Sequence, residues 1–115
     1  MIDQAAQGYG LVVRFEVLAG HEDAFDALTA QTVARIRSEE PGTLMYITHR
    51  EPGSSSVRVF YELYRDLAAF EEHERSEHVQ RFLRGREAHL RSEPLVWRVA
   101  PQVGVVRGGA GLAGG

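Results

Sequence analysis

The sequence predicts an α+β fold with the element order β-α-β-β-α-β. Four segments are predicted to be strands, and the first of them shows the period of two that is typical of this structure. Two further segments repeat apolar residues at helical spacing, and residues that favour turns separate the elements. The chain has 115 residues, which is a suitable length for one domain.

The first strand is predicted at residues 11–18, where alternate side chains on one side are apolar. A helix follows Gly20, and its first turn holds Glu22 and Asp23, which are favourable at the positive end of the helix dipole. Its apolar stripe consists of Phe25, Leu28, Thr32, Val33 and Ile36. Pro41 ends the helix, because proline cannot continue the backbone hydrogen bonding.

The second and third strands are predicted at Thr43–Arg50 and Val57–Tyr64, on either side of a proline-, glycine- and serine-rich loop at residues 51–56. Side chains of the third strand alternate between two faces. Phe60, Glu62 and Tyr64 point one way, and Val57, Val59, Tyr61 and Leu63 point the other.

The second helical region is predicted to be broken in two at Ser76. Asp66 and Ser76 are both good N-cap residues, because their side-chain oxygens accept hydrogen bonds from free backbone N–H groups. In an unbroken helix His73 and His78 would lie about 140° apart around the axis. A break at Ser76 removes that constraint and lets both imidazoles turn toward one cleft.

The apolar stripe of the second helical part consists of Val79, Phe82, Leu83 and Leu90, and a fourth strand is predicted at residues 95–100. The resulting order is the ferredoxin-like split unit, an antiparallel sheet with its helices on one face. We divide the chain into an N-terminal extension at 1–10, a folded domain at 11–103 and a glycine-rich tail at 104–115.

Several strands are apolar on both sides, although the helices can cover only one face of the sheet. Val12 and Leu18 oppose Val13 and Val17 on the first strand. Packing of two such sheets face to face would bury the second apolar face, so we expect a homodimer.

Composition excludes several classes of function. The net charge is −3 and the arginines are scattered, which argues against nucleic-acid and membrane-surface binding. The chain has no cysteine and no lysine, so it has no thiolate nucleophile, no cysteine-ligated metal and no lysine Schiff base. We see neither a signal peptide nor a membrane span, and expect a soluble cytoplasmic protein.

His73 and His78 are the main candidates for catalysis. A neutral imidazole can take a proton from an acidic phenol or an enolisable ketone at physiological pH. The alternative is that His73 only caps the first helical part and His78 is a surface residue. A zinc site is disfavoured, because the spacing is one residue longer than that of the H-E-x-x-H motif.

Glu62 is the third catalytic candidate, either orienting a histidine or supporting its positive charge. It could instead pair with Arg14 or Arg98. The candidates for substrate binding are Tyr64, His49, Phe82, Arg86 and Trp97. Tyr46 and Tyr61 could also line an aromatic pocket, whereas His21 and His89 are expected at the surface.

The chain resembles the antibiotic biosynthesis monooxygenase family, whose members often carry Glu-x-aromatic on the third strand and then H-x-x-[ST]-x-H. The matching residues are Glu62, Tyr64, His73, Ser76 and His78. Smaller matches lie at residues 19–25, at Glu40-Pro41-Gly42 and at Tyr46. The resemblance covers about residues 11–99 and implies a dimeric α/β barrel.

Two branches of that family are the most similar. Quinol monooxygenases oxidise phenolic rings with O2 and use no metal or flavin, and a second branch consists of isomerases that degrade the phosphorylated dione autoinducer-2. The resemblance therefore implies a cofactor-independent monooxygenase acting on a phenolic or quinol-like compound. The alternatives are an isomerase of a small hydroxy-dione, with Arg86 meeting a phosphate, and a non-catalytic small-molecule-binding dimer.

Overall fold

The computed structural model describes residues 8–107. Most of the predicted N-terminal extension (1–10) and most of the glycine-rich tail (104–115) therefore lie outside the described residues. The elements are strand β1 at Tyr9–Glu16, helix α1 at Glu22–Glu39, strands β2 at Thr43–Arg50 and β3 at Val57–Tyr64, helices α2 at Leu67–Arg75 and α3 at Glu77–Arg86, a 3₁₀ turn at Glu87–His89, and strand β4 at Leu95–Val99.

The four strands form one antiparallel sheet in the order β2-β3-β1-β4. Because β1 and β3 are central, the two halves of the chain interlock, as in the ferredoxin-like fold. The predicted α+β class and the β-α-β-β-α-β order are confirmed. In the described part of the chain, no helix is long and apolar enough to cross a membrane.

The core lies between the helices and one face of the sheet. Leu11, Val13 and Phe15 of β1 point into it. The Phe15 ring lies 4.6 Å from Phe60 of β3 and 5.3 Å from Phe25 of α1. Burying each such side chain stabilises the fold by about 1.5–3 kcal/mol, so these rings fix the helices on the sheet.

Strands β1 and β4 have other boundaries than the sequence prediction, and β4 ends at Val99 rather than at residue 100. Strand β1 begins at Tyr9 and ends at Glu16, two residues earlier at each end than residues 11–18. Val17 leaves the sheet proper and pairs with Leu90 in an isolated bridge. Leu90 is therefore not part of the apolar stripe of α3, because it follows the 3₁₀ turn and packs beside the end of β1.

The sheet face opposite the helices, here called the open face, carries a band of apolar side chains. Strand pairing places Trp97 of β4 beside Val12, which in turn is paired with Tyr61. Three β4 residues of this face are about half exposed: Leu95 at 52%, Trp97 at 49% and Val99 at 40%. Such a continuous exposed apolar band is typical of a surface that binds another protein.

Candidate functional site

The break in the second helical region is where the sequence placed it. Ser76 ends α2 and is the N-cap of α3, with extended backbone angles and a side chain that accepts a hydrogen bond from the Val79 N–H. The Ser76 hydroxyl also donates to the His73 carbonyl at 2.7 Å. Asp66 caps α2 by accepting from the Ala69 N–H at 2.8 Å, as predicted.

Glu40 joins the two histidines across this break. It lies just after α1, at the turn into β2, and its Oε1 accepts from His73 Nδ1 at 2.7 Å. Its Oε2 accepts from His78 Nε2, and Thr43 Oγ1 donates to Oε1 at 2.6 Å. His73 and His78 are 3% and 5% exposed, so the interpretation of His78 as a surface residue is wrong.

The charge of Glu40 fixes the protons on both rings. Burial raises the pKa of Glu40, but the hydrogen bonds from His73, Thr43 and His78 outweigh it and lower this pKa to about 2. An ionised carboxylate only accepts hydrogen bonds, so His73 Nδ1 and His78 Nε2 must each carry a proton. In neutral His73 the opposite nitrogen, Nε2, is then the basic atom.

A surface cleft of about 270 Å³ reaches all three members of this network. Its wall is formed by the end of α1, the α1–β2 turn and the α2–α3 break, with Arg65 and Arg75 among the lining residues. In the part of the chain that the structure describes, no group of three or more His, Asp or Glu side chains is arranged to hold a metal ion.

His73 also faces inward, toward a second set of polar residues above the sheet. Its ring lies 4.9 Å from the Tyr64 ring and 5.7 Å from the Tyr46 ring. The Tyr64 hydroxyl donates to Glu62 Oε1 at 2.5 Å. Burial raises the pKa of Glu62, with the Tyr64 hydrogen bond and the charge of His73 acting in the opposite direction.

The predicted role of Glu62 in orienting a histidine is wrong, because Glu40 holds both imidazoles and Glu62 is hydrogen-bonded to Tyr64. Pairing with Arg14 or Arg98 is also wrong. Arg14 is paired with Glu16 at the end of β1 and with Glu51 in the β2–β3 loop, and the Arg98 guanidinium lies 3.8 Å from the Tyr9 ring centre.

Arg86, on the last turn of α3, enters the aromatic core. Its guanidinium carbon lies 5.6 Å from the Phe15 ring centre and 5.8 Å from that of Phe82. Burial lowers the pKa of Arg86, and the charge of Glu62 is among those that oppose this effect. Phe82 is 3% exposed and packs among the core rings, so it forms a wall beneath Arg86.

The structure does not bring His49 and Trp97 into this site. His49 is paired with Val59 on the open face, and Trp97 is on the same face beside Val12. The sheet separates both residues from His73. His21 and His89, predicted at the surface, are partly buried and face each other with their Nδ1 atoms 3.0 Å apart.

Sequence reasoning missed the role of Glu40. One signal was available: a glutamate directly before the proline that ends a helix lies at the negative end of the helix dipole, where a carboxylate is unfavourable without a partner. The partners are His73 and His78, 33 and 38 residues further along the chain.

Solved structures with this fold are similar over most of the chain. PA3566 from Pseudomonas aeruginosa is 29% identical, with 86% of this chain and 98% of that chain covered and a TM-score of 0.77. Rv0793 from Mycobacterium tuberculosis is 22% identical, with 86% and 99% covered and a TM-score of 0.79. A structure described as an antibiotic biosynthesis monooxygenase is 23% identical, with 83% and 99% covered and a TM-score of 0.76.

No curated protein sequence matches the chain. The family model described as antibiotic biosynthesis monooxygenase matches residues 8–85. That range includes strands β1 to β3, all of α1 and α2, and the Glu40, His73 and His78 network. The chain therefore belongs to the antibiotic biosynthesis monooxygenase family.

Proposed function

We propose that the protein is a cofactor-independent monooxygenase that oxidises a phenolic or quinol-like compound with O2. The observation that carries this proposal is the hydrogen bond between Glu40 and His73 Nδ1, which leaves Nε2 of a buried imidazole as a proton acceptor. A carboxylate that holds the far nitrogen of a histidine orients the ring and stabilises the imidazolium formed on proton transfer.

In the proposed reaction His73 Nε2 takes the proton of a phenolic hydroxyl. The resulting phenolate is electron-rich and reduces O2 itself, so the substrate supplies the electrons. One oxygen atom ends in a new ring carbonyl and the other leaves as water. The aromatic residues around His73, among them Tyr46 and Tyr64, would exclude bulk water from the intermediate.

His78 has a different role in this proposal. Its Nε2 is bound to Glu40, so it positions the carboxylate and helps to keep it ionised, and it does not accept the substrate's proton through that nitrogen. The negative charge of Glu62 lies close enough to His73 to attract the positive charge of its imidazolium. Glu62 is therefore proposed to support the charged base without orienting it.

We also propose that two chains pair through the open face as a homodimer. The support is the exposed apolar band around Trp97, which lies on the sheet face opposite the described helices. Obligate interfaces of this kind bury more than about 2,000 Å² in total.

The experiment measures O2 uptake by metal-chelated, flavin-free protein with dihydroxynaphthalene- and anthrone-type substrates. We expect the wild-type protein to take up O2 under these conditions. His73→Ala should lower turnover about 10²- to 10⁴-fold, the usual range for a general base. His78→Ala should have a smaller effect, and His49→Ala, on the other face of the sheet, is the control.

If His73→Ala keeps the wild-type rate in folded protein, the proposed base is wrong. If no such substrate consumes O2 but a phosphorylated hydroxy-dione is isomerised, the same base serves the isomerase reaction. Activity toward neither class, together with tight binding of either, would support the non-catalytic binding dimer.

A further inference from the structure

Three polar side chains around the inner side of His73 have groups without a hydrogen-bond partner in residues 8–107. They are the Tyr46 hydroxyl, the Arg86 guanidinium and the second oxygen of Glu62, whose first oxygen is bound by Tyr64. His73 Nε2 is likewise without a partner, since only Nδ1 is bound by Glu40. These side chains are buried or partly buried, and polar groups without a protein partner at one place can receive those of a ligand.

These groups border space that solvent reaches. Within the described residues, the one fully enclosed side-chain polar atom without a partner is Thr29 Oγ1, which lies on α1. Tyr46 and Arg86 are each partly exposed, in contrast to the aromatic core beside them.

The groups are also neighbours. Tyr46 is the cross-strand partner of Glu62, so the two side chains leave the sheet side by side on the helix face. Tyr46 lies 5.7 Å from His73 on one side and 5.8 Å from Phe60 on the other. The Phe60 ring is 6.1 Å from Phe82, over which the Arg86 guanidinium lies.

The charge of Arg86 has no ion-pair partner among the described residues. No carboxylate of residues 8–107 lies within 4 Å of it, whereas the buried Arg58 is paired with Asp26 at 2.9 Å. Two phenyl rings flank the Arg86 guanidinium at 5.6 and 5.8 Å, which is favourable for the cation but leaves its N–H donors free. Burial raises the pKa of Tyr46, so its hydroxyl stays protonated and remains a donor.

We propose that Arg86 and the Tyr46 hydroxyl bind the oxygen anion of the substrate, and that the site therefore selects hydroxyaromatic compounds acidic enough to bind as phenolates. This inference rests on the proposed function, in which His73 holds the proton that the phenol loses. A charged donor and a neutral donor that both bind one oxygen anion would stabilise its charge.

The test uses 4-nitrophenol as the probe, because its phenolate absorbs visible light and its phenol form does not. Binding is measured anaerobically by absorbance titration and compared with 4-nitroanisole, which keeps the ring and the nitro group, carries a methyl group on the oxygen and cannot ionise. We expect the wild-type protein to bind the phenolate and to lower the apparent pKa of the bound probe. The anisole should bind at least about tenfold more weakly, because a charge-assisted hydrogen bond is lost.

Arg86→Gln should weaken phenolate binding about tenfold or more and leave anisole binding unchanged. Arg86→Lys should restore part of the affinity, and Tyr46→Phe should cost less than Arg86→Gln because it removes a neutral donor. The matched control is Arg84→Gln, an exposed arginine on the same helix. Glu62→Gln should tighten phenolate binding, because it removes a neighbouring negative charge.

Equal binding of phenolate and anisole, or an equal loss of both in Arg86→Gln, would overturn the proposal and leave Arg86 a packing residue. The readout is independent of turnover, so it separates this inference from the proposed function. Selective phenolate binding without O2 uptake would support the oxyanion site and contradict the oxygenase. O2 uptake that is lost in His73→Ala but unchanged in Arg86→Gln, in a protein that binds phenolate and anisole equally, would support the oxygenase and contradict the oxyanion site.

Discussion

Glu40→Gln is the substitution that tests the histidine network most directly. Glutamine has the size and shape of glutamate, so the side chain can stay between His73 and His78, but its charge is lost. The amide can accept a hydrogen bond from one imidazole and must offer N–H to the other. When His73 takes a proton, no carboxylate remains to stabilise the imidazolium.

The magnitude follows from the geometry. His73 Nδ1 lies 2.7 Å from Glu40 Oε1. Two unit charges centred about 4 Å apart attract by about 4 kcal/mol at an effective dielectric constant of about 20. Raising the activation free energy by about 1.36 kcal/mol slows a reaction tenfold, so loss of the whole attraction would slow turnover about 10³-fold. Water in the adjoining cleft screens part of it, and we expect a decrease of about 10²- to 10³-fold.

The assay is O2 uptake with a phenolic substrate, and urea unfolding of the same samples checks that each variant is folded. Glu39→Gln is the matched control, because Glu39 is adjacent, exposed and paired with Arg35. It should keep the wild-type rate. A folded Glu40→Gln variant within about twofold of wild type, alongside a slow His73→Ala variant, would refute the role of Glu40. If Glu40→Gln does not fold, Thr43→Val removes one donor to the same carboxylate without removing the charge.

Three further outcomes are expected. Ser76→Ala should lower the free energy of unfolding by about 0.5–2 kcal/mol in urea through loss of the cap, whereas Ser55→Ala, in an exposed loop, should not. Trp97→Glu should convert a dimer to a monomer in sedimentation equilibrium at micromolar concentration, and Leu67→Glu, equally exposed but on α2, should leave the dimer intact. The pKa of the Glu40 carboxyl, measured by NMR titration, should be about 2 rather than 4.5. Because folding lowers this pKa, the contribution of Glu40 to the free energy of unfolding should be complete above pH 4.5 and lost as the pH falls toward 2.

The elements were predictable because their signals are local. A proline, two N-cap residues and the apolar periodicities lie within the segments that they shape, so the helix break at Ser76 could be read from its neighbours. Glu40 could be noticed at the end of its helix, but not assigned, because its partners come from an element more than 30 residues away.

The two faces of the sheet were harder to assign from the sequence. His49 and Trp97 were placed on strands correctly, but several strands are apolar on both sides, so the period of two does not say which side faces the helices. The register shift between Thr43 and Met45 adds a further ambiguity on β2. Only the fold shows that Tyr46 faces His73 while His49 lies on the other side of the sheet.

The network ties three distant features of the sequence to one another. Glu40 lies at the negative end of the dipole of α1, where its charge costs free energy, and two imidazole N–H groups and the Thr43 hydroxyl offset that cost. The two imidazoles reach the same carboxylate because Ser76 breaks the helix between them. Since the donors hold the carboxylate and the carboxylate sets which nitrogen of His73 is basic, the α1–β2 turn controls the orientation of the base. A change in that turn should therefore alter proton transfer even though it touches neither histidine.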